Sequence, residues 1–377
     1  MRLGLNLVFL VPGHTGGMET YARELIRGLH AVAPKIEITA FVSREGAAAQ
    51  GEPWLELCTP VTLPVNSTSR VGWVRGEQLH LPGLAKRAGA ELVHSLATTG
   101  PARGAFRRVV TVHDLIYKVH PEAHFGLLSI GMAVLVPLSV KRATRVIAVS
   151  QSTRNDLVEH LHVDGGRIDV VPNGVGTPPD VEPLPEADLR AKLGAGERPI
   201  VLCTSAKRAH KNLLRLLDAL VSIPAERRPL TVLTGYPTRH EDELRERAAM
   251  LGITDDVRIL GWVSEAELEG LYAAATCLVF PSLYEGFGFP VLEAMARGLP
   301  VASSNRSSLP EVAGDAALLF EPEDVSAIAA AIERLLADAG ERERLTALGR
   351  VQAARFTWRA CAEATVASYE RALAGAA

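Results

Sequence analysis

Two successive sets of short apolar runs, with a helical pattern after most runs, constrain this chain more than any other feature of its sequence. The first set lies at 3–11, 36–42, 92–95, 109–113, 146–150 and 168–171, and the second at 200–204, 230–233, 257–260, 277–280, 301–303 and 317–320. A continuous apolar run is typical of a strand buried on both faces, and strands separated by helices indicate parallel βαβ units. The sequence therefore predicts an α/β chain with two doubly wound parallel sheets.

The boundary between the two sets is predicted near residue 175. Asn173-Gly174 is a turn signal, and Pro178, Pro179, Pro183 and Pro185 follow it closely. We place a first Rossmann-like domain at 1–175 and a second at 176–355, facing each other across a cleft. Sheets of this kind bind ligands outside the carboxyl ends of their strands, so we expect the ligand in that cleft.

The net charge of the chain gives no support to one class of partner, the nucleic acids. The net charge is −3, which gives no reason to expect nucleic-acid binding. Charge is uneven, however, because segment 70–145 carries eleven Lys and Arg residues against four acids. Such a segment is either a solvated basic face or a surface that meets an anionic acceptor or a membrane.

The cysteines and the apolar stretches indicate a cytoplasmic protein, with peripheral contact at the inner membrane face as the other option. Four widely spaced cysteines have no metal-ligand spacing and are typical of buried thiols in a reducing compartment. The first residues are interrupted by Asn6 and indicate a buried strand rather than a signal peptide. The apolar stretch 125–140 is too short to span a bilayer and contains Pro137.

The stretch from Phe280 to Val301 carries the most chemistry. A strand is predicted to end at Phe280, a glycine-containing loop follows, and a helix begins near Pro290. Glycines let the backbone approach a ligand, and a helix start offers unpaired N–H groups to an anion. Glu285 lies in the loop and Glu293 about one turn into the helix, where both carboxylates can accept hydrogen bonds from vicinal hydroxyls. A sugar or a ribose is the ligand that this pattern indicates.

The same stretch resembles the paired-glutamate signature of retaining glycosyltransferases of family 4, which have the GT-B fold. Glu285 and Glu293 are separated by seven residues within Glu-Gly-Phe-Gly-Phe-Pro-Val-Leu-Glu-Ala. The resemblance implies that the first domain holds the acceptor and the second the donor, with the last helix, 356–377, crossing back to the first domain.

Further segments match the family in the first domain. The loop Gly13 to Glu19, with Gly16 and Gly17, is similar to the loop that approaches donor phosphate, although a tight strand-to-helix turn would look the same. His113 ends a strand where the family has a donor-sugar contact, and a purely structural histidine is the alternative.

In the second domain Lys211 matches a lysine that clamps the donor diphosphate. Ser205 stands where the family usually has an arginine, and Lys207 is the candidate substitute, although it lacks the fork of a guanidinium. The backbone beside Val263 corresponds to the nucleobase contact, and the neighbouring Trp262 is either part of this pocket or of the core. The segment 307–311 also matches the family, and its structural interpretation is the capped start of a helix.

These matches together imply the following site. The expected catalytic residues are Glu285, His113 and Lys211, and the expected donor-binding residues are Gly16, Gly17, Lys207, Ser205, Val263, Gly286, Phe287, Gly288, Phe289 and Glu293. The implied reaction is retaining transfer of a hexosyl group from a nucleotide sugar, GDP-mannose or a UDP-hexose, to a hydroxyl of a polysaccharide, lipid-linked glycan or natural product. We expect neither a cofactor nor a metal, since the sequence has no Asp-x-Asp motif near a strand end.

Two other classes of function stay open at this point. A nucleotide-sugar epimerase or a phosphorylase could share the architecture, but a phosphorylase needs a Schiff-base lysine, for which we find no clear candidate. A non-catalytic nucleotide-sugar binding module is the other class. It would be expected to have lost Glu285, Glu293 or Lys211, and the sequence keeps all three.

Overall fold

The computed structural model describes residues 1–49, 52–121, 127–176 and 180–375. Pro178 and Pro179 of the predicted boundary, the first two residues of the apolar stretch 125–140 and the last two of the final helix lie outside these ranges. By its contacts the chain forms two compact units. Unit 1 comprises Met1–Gly174 and Phe356–Ala377, and unit 2 comprises Val175–Arg355.

Unit 1 contains a parallel sheet of seven strands in the order β3-β2-β1-β4-β5-β6-β7. The apolar β1 and β4 are buried over nearly their whole length, as expected for strands covered on both faces. The strands are β1 Arg2–Leu7, β2 Glu37–Val42, β3 Thr59–Thr62, β4 Leu92–Ser95, β5 Arg107–Val112, β6 Arg145–Ala148 and β7 Ile168–Val170.

Helices of unit 1 connect these strands, and the last helix returns to the unit after the whole of unit 2. The connecting helices are α1 Gly17–Val32, α2 Arg70–Arg75, α3 Leu81–Arg87, α4 Ile116–Val119, α5 Leu127–Arg142 and α6 Gln151–Leu161, with a π-helical turn Gly76–His80 between α2 and α3. A β-carbon at Gly28 of α1 would lie 2.8 Å from the side chain of Ala362. The absence of a side chain at Gly28 therefore lets the terminal helix, Trp358–Ala374, pack closely on α1.

Unit 2 contains a parallel sheet of six strands in the order β10-β9-β8-β11-β12-β13. These are β8 Ile200–Thr204, β9 Leu230–Thr234, β10 Val257–Ile259, β11 Cys277–Phe280, β12 Val301–Ser304 and β13 Ala317–Phe320. The helices of unit 2 are α7 Glu186–Leu193, α8 Leu213–Ser222, α9 His240–Met250, α10 Glu265–Ala274, α11 Phe289–Ala296, α12 Leu309–Ala313, α13 Val325–Ala337 and α14 Ala339–Ala353. The terminal helix described above, which belongs to unit 1, is α15. Two α/β units with doubly wound parallel sheets confirm the predicted fold class.

Two strands differ from the sequence-based expectation. Strand β1 ends at Leu7 rather than at residue 11, because Val8 to Leu10 turn away from the ladder while they stay buried. The edge strand β3 has no counterpart among the predicted strands. No helix within the described residues is both long and apolar enough to cross a bilayer.

Candidate active site

The loop that carries Glu285 is held by two serines of the next βα connection. The main-chain N–H of Glu285 donates to Oγ of Ser307 at 2.8 Å, and Oγ of Ser308 donates to the carbonyls of Glu285, at 2.9 Å, and Phe287, at 2.7 Å. Ser308 is the N-cap residue of α12, yet its side chain makes no capping bond. The expected capped helix start is therefore wrong in its chemistry, since this hydroxyl fixes the glutamate loop instead.

The start of α11 is shaped by a glycine that no other residue could replace without strain. Gly288 is its N-cap with φ of 118°, and a β-carbon there would lie 2.8 Å from Leu309. Phe287 and Phe289 flank it, with their rings edge to face at 5.4 Å, and Pro290 follows in the first turn. The positive end of the dipole of this eight-residue helix thus lies shortly after Glu285 in the chain, where it favours an anion, although Pro290 has no N–H and the N–H of Val291 donates to the carbonyl of Gly288.

Lys211 meets Glu285 across two neighbouring strand ends. Its Nζ lies 2.5 Å from Oε1 of Glu285, with 15% of the lysine and 13% of the glutamate side chain exposed. The ammonium also lies 5.5 Å from the centre of the Phe280 ring. The two loops are joined at the main chain, because Leu283 N–H donates to the carbonyl of His210 at 2.8 Å. The structure thus brings together two of the expected catalytic residues.

Glu293 lies on α11 in a part-buried polar network. Tyr272 donates its hydroxyl to Oε2 of Glu293 at 3.1 Å. The guanidinium of Arg297 lies 4.5 Å from the Tyr272 ring centre and pairs with Glu269 at 2.5 Å. Burial raises the pKa of Glu293, and the nearby Arg297 works against this rise. Tyr272 was not among the residues expected from the sequence, since nothing local in the chain shows where its hydroxyl lies.

Lys207 does not offer its ammonium to a ligand. Its side chain is fully buried, and Nζ donates to the main-chain carbonyls of Gly235, at 2.7 Å, and Leu260. Oε2 of Glu241 lies 3.7 Å away. The expectation that Lys207 replaces the phosphate-clamping arginine does not fit this geometry, because its donors are directed at the protein. Ser205 is part-buried at the end of β8, where its N–H donates to the carbonyl of Thr234 at 2.8 Å.

Val263 lies in the loop between β10 and α10 and is half-buried. The residue after it, Ser264, caps α10 through a capping box with Glu267. The preceding Trp262 is 69% exposed. The reading of Trp262 as a core residue is therefore wrong, and its ring is available to a ligand.

In unit 1, His113 follows β5 with its ring orientation fixed. Its Nε2 lies 2.7 Å from the carbonyl oxygen of Leu96, and its ring meets that of Tyr21 edge to face at 4.9 Å. Burial lowers the pKa of His113, which favours the neutral ring. Because a carbonyl only accepts, Nε2 carries the hydrogen, and Nδ1 is left as an acceptor.

The glycine loop of unit 1 is open. Gly16 is the N-cap of α1, has φ of 58° and is exposed, and Gly17 begins the helix. No atom lies within 4 Å of where a β-carbon of Gly16 would stand. Each unit therefore holds its own subset of the expected site. Among the described residues, no three His, Cys, Asp or Glu side chains form a group that could hold a metal ion.

Known proteins match both units. Residues 15–177 match the family profile Glycosyltransferase Family 4, and residues 186–352 match Glycosyl transferases group 1. O-antigen chain mannosyltransferase B of Escherichia coli is 36% identical over 70% of this chain and 70% of its own. D-inositol 3-phosphate glycosyltransferase of Frankia alni is 30% identical over 97% of both chains.

Other mannosyltransferases are matched over less of their length, for example 56% of one and 34% of another. Among solved structures, Anabaena HepE in complex with UDP-glucose has a TM-score of 0.74 at 19% identity, covering 98% of this chain and 99% of HepE. At that identity the likeness shows a shared fold. From the two family profiles and the relatives above, the chain belongs to glycosyltransferase family 4, the group 1 glycosyl transferases, and is a glycosyltransferase with the GT-B fold.

Proposed function

We propose that this protein transfers a hexosyl group from a nucleoside diphosphate sugar to a hydroxyl acceptor with retention of anomeric configuration. The observation that carries the proposal is the pairing of Lys211 with Glu285 beside the start of α11. A cation and a helix N-terminus can bind a diphosphate at the same place where a carboxylate can bind a sugar hydroxyl. A binding module needs the same contacts, so turnover must be measured to exclude it.

In the proposed reaction the bond between the sugar C1 and the donor phosphate oxygen breaks, and a bond from C1 to the acceptor oxygen forms on the same face. The acceptor proton passes to the leaving phosphate, so we assign no general base to the protein. Lys211 and the positive end of the α11 dipole stabilise the charge that grows on the diphosphate, which is electrostatic catalysis. We propose no metal and no cofactor, because these groups supply the positive charge.

The remaining contacts follow from the free lone pairs of the site. Glu285 accepts from Lys211 through Oε1, which leaves Oε2 for donor-sugar hydroxyls. Glu293 accepts from Tyr272 through Oε2, which leaves Oε1 for the ribose. His113 offers Nδ1 as a further hydroxyl acceptor, the backbone at Val263 binds the nucleobase, and the loop of Gly16 and Gly17 approaches the phosphate.

The donor and acceptor are proposed from the relatives. The Escherichia coli relative is named a mannosyltransferase, which supports GDP-mannose, while HepE was solved with UDP-glucose, which supports a UDP-hexose. An O-antigen chain and an inositol phosphate are the acceptors in the names of the relatives, so a glycan or a small polyol is proposed, held by unit 1. The basic segment 70–145 supports peripheral contact with an anionic membrane on the cytoplasmic side.

A thermal-shift panel with UDP, GDP, ADP, dTDP and their sugar conjugates tests the donor. A ligand at ~100 times its Kd adds about 2.7 kcal/mol to the free energy of unfolding, which gives a measurable rise in Tm. A response to one nucleotide series names the donor, and the anomeric configuration of the product then tests retention. A chain that responds to no nucleoside diphosphate contradicts the proposal.

A further inference from the structure

Lys207 joins three loops that follow the adjacent strands β8, β9 and β10. Lys207 lies in the first of these loops, after β8. Its Nζ donates to the carbonyl of Gly235 in the second loop, after β9, and to the carbonyl of Leu260 in the third loop, after β10. Its main-chain N–H donates to the carbonyl of Tyr236 at 3.2 Å, and its own carbonyl accepts from the hydroxyl of Thr238. A single residue therefore makes four hydrogen bonds to two neighbouring loops.

The second and third loops also bond directly to each other. The N–H of Gly235 donates to the carbonyl of Gly261 at 3.2 Å, and the hydroxyl of Thr234 donates to the same carbonyl at 3.1 Å. Gly235 has φ of 136°, and a β-carbon there would overlap the carbonyl oxygen of Ser205. The three loops are packed so tightly here that a phosphate could not reach the ammonium of Lys207 without separating them.

The electrostatics of Lys207 agree with a role inside the protein. Burial lowers the pKa of the Lys207 ammonium, and Glu241, whose Oε2 is 3.7 Å away, opposes this effect. Arg245 contacts the other oxygen of Glu241 at 2.7 Å and is itself half-exposed. A buried ammonium needs hydrogen-bond acceptors, which the two carbonyls provide, and a counter-charge, which Glu241 provides at 3.7 Å.

The loops that Lys207 joins carry exposed aromatic rings. Tyr236 is 48% exposed and Trp262 is 69% exposed, each following the end of its strand. The face of an aromatic ring is a surface on which a nucleobase can stack, and such stacking tolerates any base. Val263, the proposed main-chain contact for the base edge, is the next residue after Trp262.

We infer that Lys207 is a positioning residue of the nucleobase site, which fixes the loop of Trp262 and Val263 and makes no contact with the donor diphosphate. This inference rests on the proposed function, because it takes that loop as the nucleobase site. Of the two lysines of unit 2 that follow β8, it assigns binding of the donor diphosphate to Lys211 alone. The two lysines, four positions apart, therefore serve different parts of the donor.

Binding of a nucleoside and of its diphosphate separates the two roles. The probes are GDP and guanosine, or UDP and uridine, whichever diphosphate the wild-type protein binds, measured by competition calorimetry. Lys207→Met is expected to weaken both probes by the same factor, about tenfold, because the base loop loses its support. Lys211→Met is expected to weaken the diphosphate while the nucleoside stays within about twofold of wild type.

A second variant keeps the test decisive if Lys207→Met does not fold, as judged by circular dichroism. Lys207→Arg keeps the positive charge and supplies a guanidinium, whose planar fork suits phosphate, but it is too large for the buried site. We expect it to weaken nucleoside and diphosphate alike. A phosphate-binding role predicts instead that Lys207→Arg keeps or tightens diphosphate binding.

Three results would overturn the inference: loss of diphosphate binding alone in Lys207→Met, unchanged binding of both probes in that variant, or tighter diphosphate binding in Lys207→Arg. Lys86→Met, an exposed lysine of α3 in unit 1, controls for the loss of a cation and is expected to bind both probes as wild type does. A wild-type protein that binds no nucleoside diphosphate would contradict the proposed function itself, which is a separate outcome.

Discussion

The ammonium of Lys211 lies 2.5 Å from Oε1 of Glu285, on loops that follow the neighbouring strands β8 and β11. Both side chains are largely buried, so each charge is stabilised mainly by the other. A donor that brings a diphosphate to Lys211 and a sugar hydroxyl to the free Oε2 of Glu285 contacts both members of this pair at once. The pair therefore links recognition of the leaving group to recognition of the sugar.

Replacing Glu285 tests this link. Glu285→Gln is expected to lower transfer by about 10² to 10³ fold, because a neutral amide no longer holds the donor sugar as charge develops. Binding of the free nucleoside diphosphate should not weaken, since the nucleotide does not need this carboxylate and Lys211 loses an anion that competes with the diphosphate. Glu323→Gln, at an acid that is 60% exposed in the same unit, is the matched control. Transfer at the wild-type rate in Glu285→Gln would show that the donor sugar binds elsewhere.

Glu293 should reduce stability while it supports binding. Burial raises its folded-state pKa, so ionisation is disfavoured in the folded protein. Stability is therefore lost as pH rises from the unfolded-state pKa, about 4.3, through the higher folded-state value. Glu293→Gln lacks this loss and should be more stable than the wild type at neutral pH, with a difference in Tm that shrinks toward pH 4.

The same variant should bind nucleoside diphosphate more weakly, since the ribose loses its carboxylate acceptor. Thermal unfolding between pH 4 and 8, with and without the nucleotide, measures both effects. A Tm difference from wild type that does not change with pH would contradict the assignment of the raised pKa to Glu293.

Asp169 fastens α15 to the sheet of unit 1. Oδ1 of Asp169 lies 2.5 Å from Arg145 and 2.9 Å from Arg371, and Oδ2 accepts from the hydroxyl of Ser368 at 2.7 Å. These partners lower the pKa of Asp169 against the effect of its burial. Its stabilising contribution is thus present above the unfolded-state pKa and is lost as pH falls through the lower folded-state value.

Asp169→Asn is therefore expected to destabilise the protein by about 2 kcal/mol at neutral pH, since two guanidinium groups lose their anion. Urea unfolding followed by circular dichroism measures the change. Glu363→Gln on the same helix removes only an exposed pair with Arg359 and should alter stability by less than about 0.5 kcal/mol. Equal effects of the two substitutions would rule out a special role for Asp169.

Trp262 should report nucleotide binding by fluorescence. It is 69% exposed, whereas Trp54 is buried, so binding of a base beside Trp262 should change the solvent-exposed part of the emission. We expect nucleoside diphosphate to quench this emission in the wild type and in a control, Tyr236→Phe, but not in Trp262→Phe. Quenching that persists in Trp262→Phe would place the base away from this ring.

The sequence predicted most strands because apolar runs coincide with strands that are buried on both faces. Strand β3 was not predicted because it has no apolar run: it lies at the sheet edge, is mostly exposed and contains Pro60. The helical segment 70–87 was also missed, since Gly72, Gly76 and Gly83 interrupt its pattern. Apolar patterns in the sequence fail to predict an element wherever its buried residues do not form one continuous run.

In the site, too, some features follow from a short stretch of sequence and others depend on residues far away in the chain. Glu285, Gly288 and Glu293 share one short segment, so their spacing in the sequence already predicts their arrangement around a helix start. The direction of Lys207 depends on Gly235 and Leu260, which lie 28 and 53 positions away, and no local pattern shows it. Which side of a loop a lysine faces is decided by the loops beside it.

The packing of α15 on α1 has a consequence for how the protein is made. Unit 2 is encoded in one uninterrupted segment and can complete its core as soon as that segment has left the ribosome. Unit 1 must wait until residues 356–375 are synthesised, because its last helix is encoded downstream of unit 2. During translation the face of α1 that α15 later covers therefore stays exposed longest, and we expect chaperones to bind there.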